Sequence, residues 1–188
     1  MSKYTKEPYK TITYDQWQSL QTKTRSNAEH ILRFLENVIG TPSFPKHIHK
    51  EFTFECLALF THAVEEYGKL LYLKSLNHDS KRNVTIEYDK KNGSKGLFKD
   101  HYHKFELAEK KIRSVLTVYN GGFTTTGFTK SGFTTATKAD WDARLNILNT
   151  DIDSNGNPTN ITVTVDLDKL RQSVWDLRQI ILQDKNKA

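Results

Sequence analysis

A chain of 188 residues, 36% hydrophobic and 27% charged, is long enough to bury a core without disulfides or a structural metal, though a modest one. It has no run of about eighteen apolar residues, which excludes an ordinary transmembrane helix, and residues 1–10 lack the apolar stretch of a secretory signal. The net charge of +6 and pI near 9.2 favour encounter with polyanions without naming one. With a single cysteine, Cys56, the chain cannot form an internal disulfide, and a reducing, cytoplasmic compartment is expected.

Residues 1–12 read as a polar, flexible N-terminal tail. A first helix is predicted over 14–38, capped by Thr13 or Asp15, with Trp17, Leu20, Ile31, Leu35 and Val38 as its apolar stripe. Gly40, Pro42 and Pro45 end it. A second helix, over 46–76, carries Cys56, Leu59, Phe60, Ala63, Tyr67, Leu70, Leu71 and Leu73 at helical spacing. Cys56 reads there as a small buried hydrophobe. Gly68 costs about 1 kcal/mol in a helix interior, so its place implies a close approach, either of another helix or of a ligand.

Residues 78–95 are polar and turn-rich, with Val84, Ile86 and Tyr88 alternating as one short strand of a hairpin. A third helix is predicted over 96–119, with Phe98, Tyr102, Phe105, Ile112, Leu116 and Tyr119 on one side. A repeat of period five follows: Gly122-Phe123-Thr124-Thr125, Gly127-Phe128-Thr129-Lys130 and Gly132-Phe133-Thr134-Thr135. Residues 120–138 therefore read as a Gly/Phe/Thr-rich loop, which either stacks on bases, covers a site or packs against the helices. A short helix over 138–148 precedes the turn 151–158, whose Asp/Asn/Gly run resembles a calcium loop. Thr162 stands where the closing carboxylate would be needed, so no metal is expected there. Ile161, Val163 and Val165 alternate as a strand, and a last helix over 167–182 shows the inner face Leu170, Val174, Leu177 and Ile181. The pattern predicts one mainly α domain, an antiparallel helical bundle with a short β-hairpin and long irregular loops.

Two polar blocks interrupt these apolar helices. His62, Glu65, Glu66 and Lys69 lie on the second helix, where His62, Glu66 and Lys69 share a sector. Asp100, His101, His103 and Lys104 open the third, with His101 and Lys104 on one face. If the two helices pack together, the blocks can meet. A histidine near neutrality moves protons, a lysine stabilises phosphoryl charge, and a glutamate orients either, a set suited to a phosphodiester. The same Glu and His residues suit a divalent cation. Glu65 with Lys69 is equally an ordinary helical ion pair.

Ala58-Leu59-Phe60-Thr61-His62-Ala63-Val64-Glu65-Glu66-Tyr67-Gly68-Lys69 resembles the Glu-Glu-Leu-Gly-Lys helix of the AbiV family of abortive-infection proteins. Phe98-Lys99-Asp100-His101-Tyr102-His103-Lys104 is similar to that family's Phe-x-Asp-His-x-x-Lys block, and Arg144-Leu145-Asn146-Ile147-Leu148-Asn149-Thr150-Asp151 is a weaker third match. The resemblance spans residues 15–183. It implies a helical, HEPN-like defence protein that halts growth of an infected cell, in a superfamily rich in dimeric ribonucleases. It carries over Glu65, Glu66, Lys69, Asp100, His101 and Lys104 as the candidate site; with the two polar blocks, Glu65, Glu66, Lys69, His101 and Lys104 are expected to be catalytic and His62, Asp100 and His103 substrate-binding. Three departures stand out. No arginine precedes His101 at the short distance HEPN ribonucleases use, Tyr67 replaces a leucine, and Asn149-Thr150 replaces Tyr-Val.

Two functions follow as expectations. One is an RNA-cleaving toxin, a homodimer, with His101 moving the proton beside Lys69 or Lys104. The other is a non-catalytic protein that holds a phage or host translation component, using the Gly-Phe-Thr repeat and the basic surface. A metal-dependent hydrolase built on Glu66 and His101 is a third, lesser option. No cofactor is expected; the lack of a phosphate-binding Gly-rich loop argues against an ATPase, and no serine or cysteine nucleophile stands in a recognisable setting.

Overall fold

A computed structural model of the chain describes residues 9–41, 53–76, 83–88, 98, 101–112, 123–126 and 162–186. Among them the chain is mainly α. Helices α1 (Tyr14–Ile39), α2 (Thr53–Ser75), α3 (His101–Ile112) and α4 (Leu167–Asn186) are joined by strands β1 (Tyr9–Ile12), β2 (Val84–Glu87), β3 (Phe123–Thr126) and β4 (Thr162–Val165). The predicted extensions of the second and third helices, and the short helix over 138–148, lie outside the described residues. The chain groups into two compact units, Met1–Ala28 with Val64–Lys111 and Glu29–Ala63 with Ile112–Ala188.

In the first unit, Thr13 starts α1 through a reciprocal cap. The Gln16 N–H donates to Thr13 Oγ1 at 3.2 Å, and the Thr13 N–H donates to Gln16 Oε1 at 2.9 Å. Trp17 is buried one turn later and its indole donates to the Leu73 carbonyl at 3.0 Å. Asn27 meets Glu66 further along, so α1 and α2 run antiparallel here. Residues 9–12, expected as tail, instead form β1 and pair antiparallel with β2, Ile12 opposite Val84 and Lys10 opposite Ile86. The expected hairpin is thus a long-range pair. Its cause is apolar: Ile12, Val84 and Ile86 share a face that packs on Trp17, Tyr72 and Leu73. Phe98, expected inside the third helix, sits before α3 in a turn, where its N–H donates to the Glu87 carbonyl at 3.2 Å.

In the second unit, Gly40 ends α1 with φ 77° and donates its N–H to the Glu36 carbonyl at 2.8 Å. Only a residue without Cβ takes that left-handed position at no cost. Asp166 caps α4 by accepting from the N–H groups of Asp168 (3.1 Å) and Lys169 (3.2 Å). Leu170, Val174, Leu177 and Ile181 are all buried, as their spacing predicts. Arg178 pairs with Glu36, and buried Arg171 donates through Nε to the Ile39 carbonyl at 2.7 Å, which stitches α4 antiparallel to the end of α1. The first Gly-Phe-Thr copy, expected as loop, is strand β3, paired antiparallel with β4. Its run of Phe123, Thr124, Thr125 and Thr126 has the β propensity of a strand, which the neighbouring glycines disguise. The later copies lie outside the described residues.

Cys56 is buried on α2, as its apolar setting predicts. Burial, with the nearby Glu55 charge as a lesser cause, pushes its thiol from an ordinary 9.0 up to about 11. The folded protein should therefore resist thiol reagents at neutral pH and react with one equivalent after denaturation. The unfolded thiol ionises first, so the folded state keeps its proton longer and stability falls from about pH 9 through about pH 11. Urea titrations at both pH values should show a smaller fall for Cys56→Ala than for wild type. Equal falls would remove Cys56 as the cause.

Candidate functional site

From Ala63 to Gly68 every residue of α2 is buried, so this helix meets neighbours on all sides. Glu65 and Glu66 lie inside that stretch with 1% and 5% of their surface exposed. Carboxylates at such depth are tolerable only with partners. For Glu66 the partners are plain. Asn27 Nδ2, arriving from α1, donates to Oε2 at 3.3 Å, and Lys69 forms a hydrogen-bonded ion pair with Oε1. Lys69, one turn on, keeps 19% of its side chain exposed, and its Nζ lies 5.6 Å from the centre of the Phe98 ring.

Helix α3 is brought to this site by Gly68. A Cβ at that position would sit 1.7 Å from the Lys104 carbonyl oxygen and 2.5 Å from its carbon. The absent side chain therefore lets the backbones of α2 and α3 touch, which decides the glycine in favour of helix packing over ligand approach. Lys104 is consequently 4% exposed, with Phe105 and Ala108 buried beside it on the same helix. The first unit thus holds two buried carboxylates, a buried ammonium and a half-buried one, formally balanced in charge.

The remaining candidates are placed as follows. His62 lies half-buried on the part of α2 that belongs to the second unit. Asp100 is outside the described residues, and of His101 only the backbone, which opens α3, is described. His103 points to the outer side, 39% exposed, with Nδ1 3.6 Å from Glu106 Oε2. Of the predicted residues, Glu66 and Lys69 are thus shown in direct contact, with Glu65 and Lys104 buried in the same unit and His103 on its outer side.

Two members escaped the sequence reading. Asn27 supports Glu66 from α1, and its only signal was a polar residue beside the small, buried Thr24 and Ala28. Phe98, whose spacing suits a helical stripe, stacks on Tyr88 instead, rings 6.2 Å apart and 25° from parallel, while Lys10 Nζ lies 4.0 Å over the Tyr88 ring. Among the described residues no group of three or more His, Cys, Asp or Glu is placed to hold a metal ion. Nor is any helix among them long and apolar enough to cross a membrane. Comparison with family models, with characterised proteins and with solved structures finds no match.

Proposed function

We propose that the protein is a cytoplasmic abortive-infection defence protein of the AbiV type, a HEPN-like homodimer whose α2–α3 cluster cleaves RNA. The observation that supports this reading is the burial of Glu65, Glu66 and Lys104 with Lys69 held on Glu66, on helices in backbone contact at Gly68. Soluble helices rarely keep so many ionisable groups inside without a use for them. Lys69, the more exposed of the two lysines, is the one able to meet a phosphoryl oxygen. Glu66 orients it, Asn27 fixes Glu66, and Lys104 adds a second lysine buried on α3. His101, one helical turn before Lys104, takes or returns the proton.

Incubation of intact cellular RNA with purified protein tests the reading. Wild type should cleave with or without chelator, and His101→Ala, still folded, should lose roughly a hundredfold or more, the usual weight of a general acid or base. Cleavage undiminished in His101→Ala would remove the assignment of that residue. Cleavage abolished by chelator would point instead to the metal-dependent variant.

A second reading has its own support. Both Glu66 oxygens are already bonded within the chain, as in a cluster that holds helices together, and the Gly-Phe-Thr run begins in a formed strand. A non-catalytic protein that captures a phage or host translation component fits these facts. Growth arrest that survives His101→Ala but is lost on deleting residues 127–135, which spares β3, would favour it.

A further inference from the structure

Four side chains of the first unit form a chain of contacts leading to the carboxylate cluster. Lys10 Nζ sits 4.0 Å over the Tyr88 ring, Tyr88 stacks on Phe98 with centroids 6.2 Å apart, and Lys69 Nζ lies 5.6 Å from Phe98 while bound to Glu66. Register explains how Lys10 arrives there. It faces the same side of the β1–β2 pair as Ile12, Val84 and Ile86, and Tyr88 continues that side just past β2. The inner part of this face packs on Trp17 and Leu73, whereas Lys10 is exposed and Tyr88 and Phe98 are half-buried.

We infer that Tyr88 and Phe98, with Lys10, form a stacking platform for a single-stranded polynucleotide. Aromatic rings bordered by ammonium groups are the chemistry that binds unpaired strands: the ring takes the base and the lysine takes the flanking phosphate. Magnitudes allow the exchange. An exposed cation–π contact such as Lys10 on Tyr88 is worth roughly a two- to fivefold factor in an equilibrium. A base stacked on an aromatic ring is worth roughly five- to a hundredfold. A base can therefore displace the Lys10 ammonium from the ring, and the freed ammonium pairs with the adjoining phosphate. A duplex cannot do this, since its bases are already stacked on each other. The inference rests on the reading above only where it places the strand one lysine from Glu66; the platform itself stands on the ring and ammonium geometry.

A fluorescein-labelled oligothymidylate of about twelve nucleotides, within the usual site size for such grooves, tests it by anisotropy and needs no cleavage. Wild type should bind it more tightly than a duplex of equal length. Tyr88→Ala should weaken binding about tenfold and Tyr88→Phe should stay within about twofold. Lys10→Gln should weaken it several-fold and lower the salt slope by about one, whereas Lys111→Gln, an exposed charge elsewhere on α3, should change it less. Lys10→Gln also serves if Tyr88→Ala fails a folding check by circular dichroism. Absence of binding, equal binding of the duplex, or equal losses from Lys10 and Lys111 would overturn the platform. RNA cleavage without oligonucleotide binding would overturn it too while sparing the proposed activity. Binding without cleavage would support it and count against catalysis.

Discussion

Gly68→Ala should lower stability by roughly 3 kcal/mol or leave the protein unfolded, although alanine is ordinarily the better helix former. In an open helix the substitution gains about 1 kcal/mol. Here the new methyl would lie 1.7 Å from a backbone oxygen of α3, and no rotamer change relieves a clash with main chain. Helix α3 must retreat, which loosens Phe105 and Ala108, both buried. Overpacking of a tight core typically costs about 1–3 kcal/mol, and more where backbone must move. For a chain of this size a loss of 3 kcal/mol lowers the melting temperature by roughly 6–12 °C. Lys111→Ala, at an exposed α3 position, is the control and should shift it little. A melting temperature unchanged in Gly68→Ala would mean that α2 and α3 do not meet at this point.

Trp17→Ala should be comparably severe, about 3–5 kcal/mol, the usual cost of emptying a buried aromatic site. The side chain anchors α1 against Tyr72, Leu73, Val84 and Ile86, so its loss also uncovers the face that holds β1 and β2. Trp17→Phe separates two contributions. It keeps most of the apolar bulk but removes the indole donor and leaves the Leu73 carbonyl without it, for about 1–2 kcal/mol. Urea unfolding followed by circular dichroism should rank wild type above Trp17→Phe and Trp17→Phe above Trp17→Ala. Equal losses would place the whole effect in the hydrogen bond, and no loss in either would contradict the packing of Trp17.

The helices were legible where periodicity ran unbroken. In α4 the spacing Leu170, Val174, Leu177, Ile181 names the buried face without error. In α1 the stripe slipped, since Thr24 and Ala28 occupy inner positions without looking apolar enough to mark them. The buried apolar residues beyond are Leu32, Leu35 and Ile39, with Ile31 and Val38 at the margin. The strands were harder to read. Lys10 and Thr11 look like tail until Val84 and Ile86 are folded against them, and that pairing joins segments more than seventy residues apart. Glu65, Glu66, Lys69 and Lys104 were legible as ionisable residues on apolar helices, a contrast visible in a linear string. Asn27 was not, because a neutral amide on a polar helix face looks like any solvated residue. Gly68 was legible as an exception, and only the neighbouring backbone tells what it admits.

The bonds that tie α4 to α1 carry a consequence for biosynthesis. Arg171 reaches the Ile39 carbonyl across 132 residues of sequence, and Arg178 reaches Glu36 across 142. At the usual 5–20 residues per second, the ribosome needs roughly seven to thirty seconds to make the intervening chain. During that interval a nascent chain carries the end of α1 with Glu36 and the Ile39 carbonyl still lacking the arginines of α4, an unfinished surface open to chaperones or to neighbouring nascent chains.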